Sequence, residues 1–496
     1  MNIIKRIQRD NINRREFLRK GVCAGFSTAG VFSAMSTLKL FEAQLAAQTP
    51  PPNYKAMICL FLFGGNDANN MLVPKETADY DSYAAIRGPL AIAKDTLLTI
   101  NDPNSDGRLF GLHPALSPLR DIYGIPNSGA PNDPNQVTGP KNCAFIANVG
   151  TLVAPITKAE YLAGGAAIPP FLFSHNDQQV QWQTSVPEST KKIGWGGRIA
   201  DLKKAMYGTS SISMNISVAG NNFFQIGQEV FQYQIGNSGS AGIDNWDSTD
   251  VRWAGRKPVL NSLFVHDYTN LFEQEYAAVT QRAIANDTLL KATLASIPSY
   301  LGTTSAHYFK PRNPAKPTVF TQLQQQLNII LRMIMAREEL DMRRQIFFSS
   351  IGGFDTHDEQ LENQEILLAD LALSVKEFYQ GTVALGVAND TTLFTASDFN
   401  RTFGSNGKGS DHAWGSHQFV VGGAVKGGKI YGRLPTLALN GPDDAGSRGA
   451  WIPTTSVDEY SGTLAKWFGV DASEMPQVLP NLSRFAHPDL GFMNNA

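Results

Sequence analysis

Cysteine is nearly absent from the chain: Cys23, Cys59 and Cys143 are the three in 496 residues. So few, at such spacings, exclude a disulfide-stapled scaffold and a cysteine-based metal site. Cys59 and Cys143 lie in or beside apolar runs, which predicts buried free thiols, with a bridge between them as the alternative. Charge is sparse as well. Asp, Glu, Lys and Arg make up 17% of the residues and nearly cancel, leaving a net charge of −2. No basic stripe is available to neutralise phosphates, which argues against nucleic acid as a partner. Beyond the first fifty residues no apolar run approaches the roughly 20 residues of a membrane span. The chain also lacks a G-x-S-x-G elbow, an H-E-x-x-H pair, a Walker loop and a repeat of fixed period. These absences remove the simplest readings as an elbow-type serine hydrolase, a zincin, a P-loop nucleotidase or a solenoid.

What is present begins at the start. Residues Asn13 to Lys20 read N-R-R-E-F-L-R-K, and a small-sided, mildly apolar stretch follows from Gly21 to Met35. Paired arginines ahead of Phe17 and Leu18, then small residues from Ala43 to Ala47, predict a twin-arginine export signal over residues 1–47 with cleavage near Ala47. The expectation is passage through the twin-arginine translocase already folded, to a periplasmic or secreted location, with no stable transmembrane segment after cleavage. An uncleaved anchor and an amphipathic start of the first domain are the alternatives. The first 47 residues hold eight of the 42 Lys/Arg and three of the 44 Asp/Glu, so the remainder carries 34 basic against 41 acidic residues, a net of −7.

That remainder, residues 48–496, suits one large α/β domain with insertions. Five short apolar runs read as buried strands: Ala56 to Phe63, Cys143 to Val149, Ile346 to Ile351, Thr391 to Ala396 and Phe419 to Val421. Three of them stop at or just before a double glycine. Unalternated runs of this length fit strands buried on both faces of a parallel sheet. Helical spacing lies between them, in Thr321 to Gln345 and Glu359 to Tyr379, so the alternation predicts a mostly parallel central sheet flanked by helices. The Asn-, Gln-, Ser- and Gly-rich stretch of about 209–308 reads as a middle insertion or cap, and Pro126 to Pro140 as a surface loop.

Three strand ends deliver an acid: F-G-G-N-D with Asp67, G-G-F-D-T-H with Asp355 and His357, and S-D-F-N-R-T with Asp398 and Arg401. Ligand sites in open α/β sheets lie at these carboxyl ends. Carboxylates gathered there require protons, basic partners or cations among them. Of eight histidines, three fall in two motifs, His357 and then His412 and His417 in S-D-H-A-W-G-S-H. Anionic oxygen beside neutral imidazole is the donor set of a divalent ion. Asp67, Asp355, His357, Asp398, His412 and His417 are therefore the candidate ligands for one or two ions, with zinc, manganese, calcium and magnesium not distinguished. The plainer readings are a helix cap at Asp67, an Asx-turn at Asp355, a loop histidine at His357 and packing around Trp414. Ser174, in F-L-F-S-H-N-D, precedes a predicted helix and is the candidate nucleophile, with an ordinary N-cap as the plainer role. His175 beside it is a candidate ligand or proton carrier, and Thr151 is the rival nucleophile. Arg401 is placed to hold an oxyanion, or to pair with Asp398. Asp102, Asn104 and Asp106 resemble half of a calcium loop, but His113 stands where the closing Glu belongs, so a solvated turn is expected. His113 itself reads as a residue at a helix start near the site, or as none of its parts.

Taken in order, the twin-arginine signal, F-L-F-G-G-N-D-A-N-N, G-G-F-D-T-H, S-D-F-N-R-T and S-D-H-A-W-G-S-H-x-F-V-V-G-G-A-V-K-G-G resemble a family of exported bacterial proteins of unknown function within the alkaline phosphatase-like, or sulfatase-like, superfamily. The resemblance runs from about Lys55 to Ala486. It implies an alkaline phosphatase-like α/β fold, two divalent ions and a phosphate or sulfate ester as substrate. Asp67 would be the first-strand ligand, Asp355 and His357 a later set, Asp398 the next acid, and His412 or His417 the C-terminal histidine. The chain departs from the pattern at Asp398-Phe399, where the superfamily often has Asp-His. Asp398 and Asn400 also stand where the family commonly has Glu and Gly. The formylglycine signature C-x-P-x-R is missing. The resulting expectation is an exported metal-dependent hydrolase of an anionic ester. The alternative is a non-catalytic periplasmic binding or assembly protein on the same fold.

Overall fold

The apolar runs become strands because they have apolar partners on both sides. In the computed structural model, which describes residues 54–101, 109–125, 139, 141–165, 167–206, 210–237, 239 and 242–494, β1 (Lys55–Leu62) is buried along its whole length. Its side chains alternate between two cores. Ala56, Ile58, Leu60 and Leu62 join one apolar cluster, and Met57, Cys59 and Phe61 join another on the opposite face. Such alternation is the period-2 geometry of a strand. Each large side chain so buried is worth roughly 1.5–3 kcal/mol. Cys59 and Cys143 are buried free thiols in these runs.

The remaining strands are β2 (Leu72–Pro74), β3 (Leu98–Asn101), β4 (Leu109–Leu112), β5 (Cys143–Gly150), β6 (Asn215–Ser217), β7 (Tyr233–Gln234), β8 (Arg344–Ile351), β9 (Thr391–Ser397), β10 (Ser416–Gly422), β11 (Ile430–Tyr431) and β12 (Thr455–Ser456). The central sheet runs β7-β6-β8-β1-β9-β10-β5-β11, with β12 also on β5, while β2, β4 and β3 form a small separate sheet. Every pairing of the central sheet is parallel except those of β10, which is antiparallel to both β9 and β5. The expected mostly parallel, helix-flanked α/β sheet is present. One difference is that β6 and β7, within the stretch read as an insertion, extend the sheet beyond β8. Asn215 to Ser217 are fully buried there.

Helices cover both faces. The helices used below are α1 (His175–Thr184), α2 (Trp195–Lys203), α3 (Arg256–Phe264), α4 (Leu271–Ser296), α5 (Gln322–Met335), α6 (Gln360–Ala384) and α7 (Val457–Phe468). α5 and α6 lie on the face of Ile58 and Leu60, and α2 and α7 on the face of Met57 and Phe61. Capping boxes fix two starts, Thr321 with Gln324 at α5 and Ser456 with Glu459 at α7; each satisfies amide donors that the first turn leaves free. The described residues belong to one compact unit, Thr49–Ala496. None of their helices is long and apolar enough to cross a membrane. Residues 1–47, the Asp102–Asn104–Asp106 motif and most of the Pro126 to Pro140 loop lie outside the described residues.

Topology positions the site. β1, β8 and β9 run the same way, so Asp67, Asp355 and Asp398 all leave from the carboxyl end. Because β10 is reversed, it starts at that same end, and the segment 398–415 joining β9 to β10 must lie there with His412. The turns after β1 and β8 press together. Gly64 has φ of +110°, and a Cβ on it would stand 2.4 Å from the Asp355 backbone nitrogen, an approach that glycine alone permits. A Cβ on Gly409 would likewise meet the His357 backbone at 2.4 Å.

Candidate metal centre

Asp355 is the hub. Its Oδ1 lies 3.0 Å from His357 Nε2 and 3.4 Å from His412 Nε2, and its Oδ2 lies 3.4 Å from His175 Nε2. His357 Nε2 is 3.1 Å from His412 Nε2. Ligand atoms of His175, Asp355 and His412 all fall within 4.8 Å of one another.

The far side of each ring explains why these nitrogens turn inward. His175 Nδ1 is 2.7 Å from Asp398 Oδ2, His412 Nδ1 is 2.7 Å from the Phe173 carbonyl oxygen, and His357 Nδ1 is 3.4 Å from Asp411 Oδ1. A carboxylate or carbonyl only accepts, so the Nδ1 of His175 and of His412 carries the hydrogen, and in the neutral ring the Nε2 lone pair faces the shared space. Two lone pairs 3.1 Å apart repel unless a proton or cation lies between them. His175 Nε2 is buried and has no hydrogen-bond partner, a cost that native interiors seldom leave uncompensated. Anchoring ligand imidazoles through the other ring nitrogen is how metal sites are oriented and made more basic. The four separations of 3.0–3.4 Å are those of the edge of a tetrahedron with bonds of about 2.0 Å, roughly 3.3 Å, while the set of mutually close ligand atoms is that of His175, Asp355 and His412. The residues therefore fit a divalent ion.

Electrostatics agrees. The hydrogen bond that His175 donates to Asp398 raises the His175 pKa against the effect of burial, and the Asp398 and Asp355 charges add to the rise. Burial lowers that of His412, with the Phe173 carbonyl opposing and the neighbouring His175 and Arg401 charges assisting. Burial pushes Asp355 up, but the Arg401 hydrogen bond and charge outweigh it, so the carboxyl is held below its ordinary range. About half of the Asp355 and His357 side chains remain in contact with solvent, and a quarter of His175 and His412, which leaves an open approach of the kind catalytic centres keep.

The sequence candidates divide. Asp355, His357, His412 and His175 come together. Asp398 stands one layer behind them, fully buried, taking Gln179 Nε2 at 2.8 Å and the Gly64 N–H at 3.2 Å as well as His175. Asp67 is not in the group. It is buried in an ion pair with Arg87, accepts from Gln360, and caps the short helix Ala68–Met71 through Asn69 N–H at 3.2 Å. His417 lies on β10 and is buried. Its Nδ1 accepts the Asn148 N–H at 3.0 Å, and burial pushes its pKa down to about 4; it belongs to strand packing. Ser174 precedes α1, and its hydroxyl donates to Asp177 at 2.6 Å. Thr151 donates to Gln178 at 2.7 Å. Arg401 is buried and pairs with Asp355 at 2.7 Å, not with Asp398, and it also donates to the Ser410 carbonyl; with these contacts it orients the hub and is not free for a substrate. His113 caps the turn Pro114–Leu116, accepting the Ala115 N–H at 3.1 Å.

Three participants escaped the sequence reading. Asp411 was signalled by its place beside His412, and Gln179 by its four-residue offset from His175, one turn along the same helix face. The Phe173 carbonyl had no signal, being backbone. Phe171 and Phe173 both hold positive φ, 53° and 71°, which is an outlier for a bulky side chain. That strain delivers the carbonyl to His412, and such outliers gather at functional sites.

The fold and this geometry define an α/β protein with a histidine–aspartate cluster at the carboxyl end of its sheet. Among known proteins, residues 269–448 match a family model described as "Protein of unknown function (DUF1501)", so this part of the chain is similar to an uncharacterised family. The matched segment holds Asp355, His357, Asp398 and His412, but not His175. Two solved structures are distantly similar. "Crystal structure of Ps i-CgsB" has a TM-score of 0.31 and 10% identity, covering 86% of this chain and 77% of the other. "Crystal structure of Ps i-CgsB in complex with k-i-k-neocarrahexaose" has a TM-score of 0.30 and 9% identity, covering 88% and 77%. No curated protein matches the chain.

Proposed function

We propose that the chain is an extracytoplasmic metal-dependent hydrolase acting on a phosphate or sulfate ester, within the alkaline phosphatase-like superfamily. The observation that carries this reading is the convergence of three imidazoles on Asp355, each anchored behind by an acceptor. His175, His412, His357 and Asp355 would hold the ion, and the nitrogen-rich set favours zinc-class ions over magnesium or calcium. Such an ion supplies Lewis acidity to an ester oxygen and lowers the pKa of water. Arg401 offsets the Asp355 charge and Arg448 that of Asp411. A dication added to neutral rings therefore leaves the centre net positive, which favours an anionic substrate. Asp398 and the Phe173 carbonyl hold two rings in the tautomer that binds.

A second reading, a non-catalytic binding protein on the same fold, is favoured by one observation: Ser174 is tied to Asp177 and Arg401 to Asp355, so neither of these two candidate catalytic groups is free to act on a substrate. Purified chain stripped with chelator and reloaded with zinc or manganese, then tried on phosphomonoesters, phosphodiesters and sulfate esters, separates the two. Turnover that vanishes on stripping and returns on reloading supports the hydrolase. No turnover, whether an ion is held tightly or none is held, supports the second reading.

A further inference from the structure

Outside the cluster, the pair α3 and α4 breaks the rule that large apolar side chains find cover. The two helices pack on each other. The 26 residues of α4, about 39 Å at 1.5 Å per residue, are anchored at one end: Leu290 and Leu294 enter the main core. Of its first sixteen residues, only Ala277 is buried. Phe272, Tyr276 and Val279, at i, i+4 and i+7, share one face of that free half. Phe272 is 87% exposed and Tyr276 75%. Val259 and Leu263 on α3, one turn apart, and Val265 after it are exposed as well. Two of the six are aromatics of about 150–250 Å² when fully bared and four are the smaller Val and Leu, so together they present on the order of 600 Å². That is the upper end of the roughly 300–600 Å² of the largest patch on a typical monomer. It approaches the ~800 Å² that each partner contributes to a stable interface.

The charges around the patch bear on its occupant. From residue 244 to 282 there are six Asp/Glu and four Lys/Arg. All four cations are engaged within the chain: Arg252 with Asp250, Lys257 with Asp247, Arg282 with Glu275, and Arg256 with the Asp244 carbonyl and the Trp253 ring. A face with acidic excess and no free cation is a poor match for anionic lipid. With the cations paired within each copy, the excess is two acids per face, an exposed repulsion that salt screens, and a two-fold axis lets one apolar stripe cover its own twin.

We propose that the α3–α4 pair is the contact face of a homodimer, two helices from each copy closing into a four-helix contact with Phe272 and Tyr276 at its centre. This stands independently of the metal centre. The test is analytical ultracentrifugation of the full exported chain from about 1 to 100 μM, beside the double variant Phe272→Glu, Tyr276→Glu. The expected result is twice the chain mass for the unaltered protein and at least a 100-fold weaker association for the variant, with circular dichroism unchanged. A monomer at 100 μM overturns the proposal, as does a variant that stays dimeric. Flotation of a monomeric chain with phosphatidylcholine vesicles also overturns it, marking the patch as a lipid face. If the double variant fails to fold, Tyr276→Lys alone supplies the same comparison.

Discussion

Two neighbouring parallel strands end alike and do opposite things. β1 and β8 each run into two glycines and, two residues later, an acid, Asp67 in one case and Asp355 in the other. Asp67 is 1% exposed, with Arg87, Gln360 and an amide of its own turn filling its oxygens. Asp355 is 48% exposed and shared among Arg401 and three imidazoles. A buried acid whose oxygens are spent on a cation and donors holds the fold together. An open acid ringed by inward lone pairs is equipped to take a cation. The strand-end motif is common to both, and the partners decide.

The comparison breaks most visibly at Asp67. Asp67→Ala would strand Arg87, which is fully buried, and should cost about 3–5 kcal/mol of stability, read by urea denaturation. The surviving fold should bind metal within a few-fold of the unaltered chain. Lost metal binding with stability intact would make Asp67 a ligand after all. The next largest effect is Asp355→Asn, which keeps an oxygen for Arg401 but removes the charge. Metal affinity should fall at least about 100-fold in a competition titration, with a smaller stability loss than at Asp67. Asp398→Asn should weaken metal roughly 10–100-fold at pH 8. It should also shift the pH of metal release. Protons compete for His175 Nε2, and Asp398 raises the pKa of that ring, so the unaltered chain sheds metal as pH falls from above the ordinary histidine range, and the variant holds on to lower pH.

Smaller effects come from groups outside the site. Burial pushes Asp458 up to about 8, opposed by Ser185 and Arg198. Between about pH 4 and 8 the folded chain keeps a proton that the unfolded chain releases, so this group takes away stability as pH rises. Asp458→Asn should be the more stable protein at pH 8, by an amount that shrinks toward pH 4. His417 acts in the other sense. Held neutral down to about 4, it contributes stability above its unfolded pKa of roughly 6.5 that is lost as pH falls from there to 4. His417→Gln should flatten that part of the acid denaturation curve.

The sheet was legible because strands buried on both faces must be apolar throughout. The runs starting at Ala56, Cys143, Ile346 and Thr391 appear within two residues of their expected bounds. The reversal of β10 was not legible, since direction depends on which edges a strand meets, and with it went the place of His417. In the site, Asp355, His357 and His412 stood out as acids and imidazoles in glycine-bounded turns. Asp67 looked the same, because its partner Arg87 is twenty residues away in an ordinary helix. The Phe173 carbonyl has no sequence signature at all. Local motifs reveal donors, but what occupies those donors is set by tertiary packing.

The central claim is that three Nε2 atoms and the Asp355 carboxylate share one divalent ion. X-ray absorption at the zinc edge of the reloaded full chain tests it most directly. The expected result is one ion per chain, with about three imidazole nitrogens near 2.0–2.1 Å and one oxygen in its shell, and loss of the imidazole signal when His175 and His412 are both replaced by Ala. An all-oxygen shell, or an imidazole signal undiminished in that double variant, would contradict the claim.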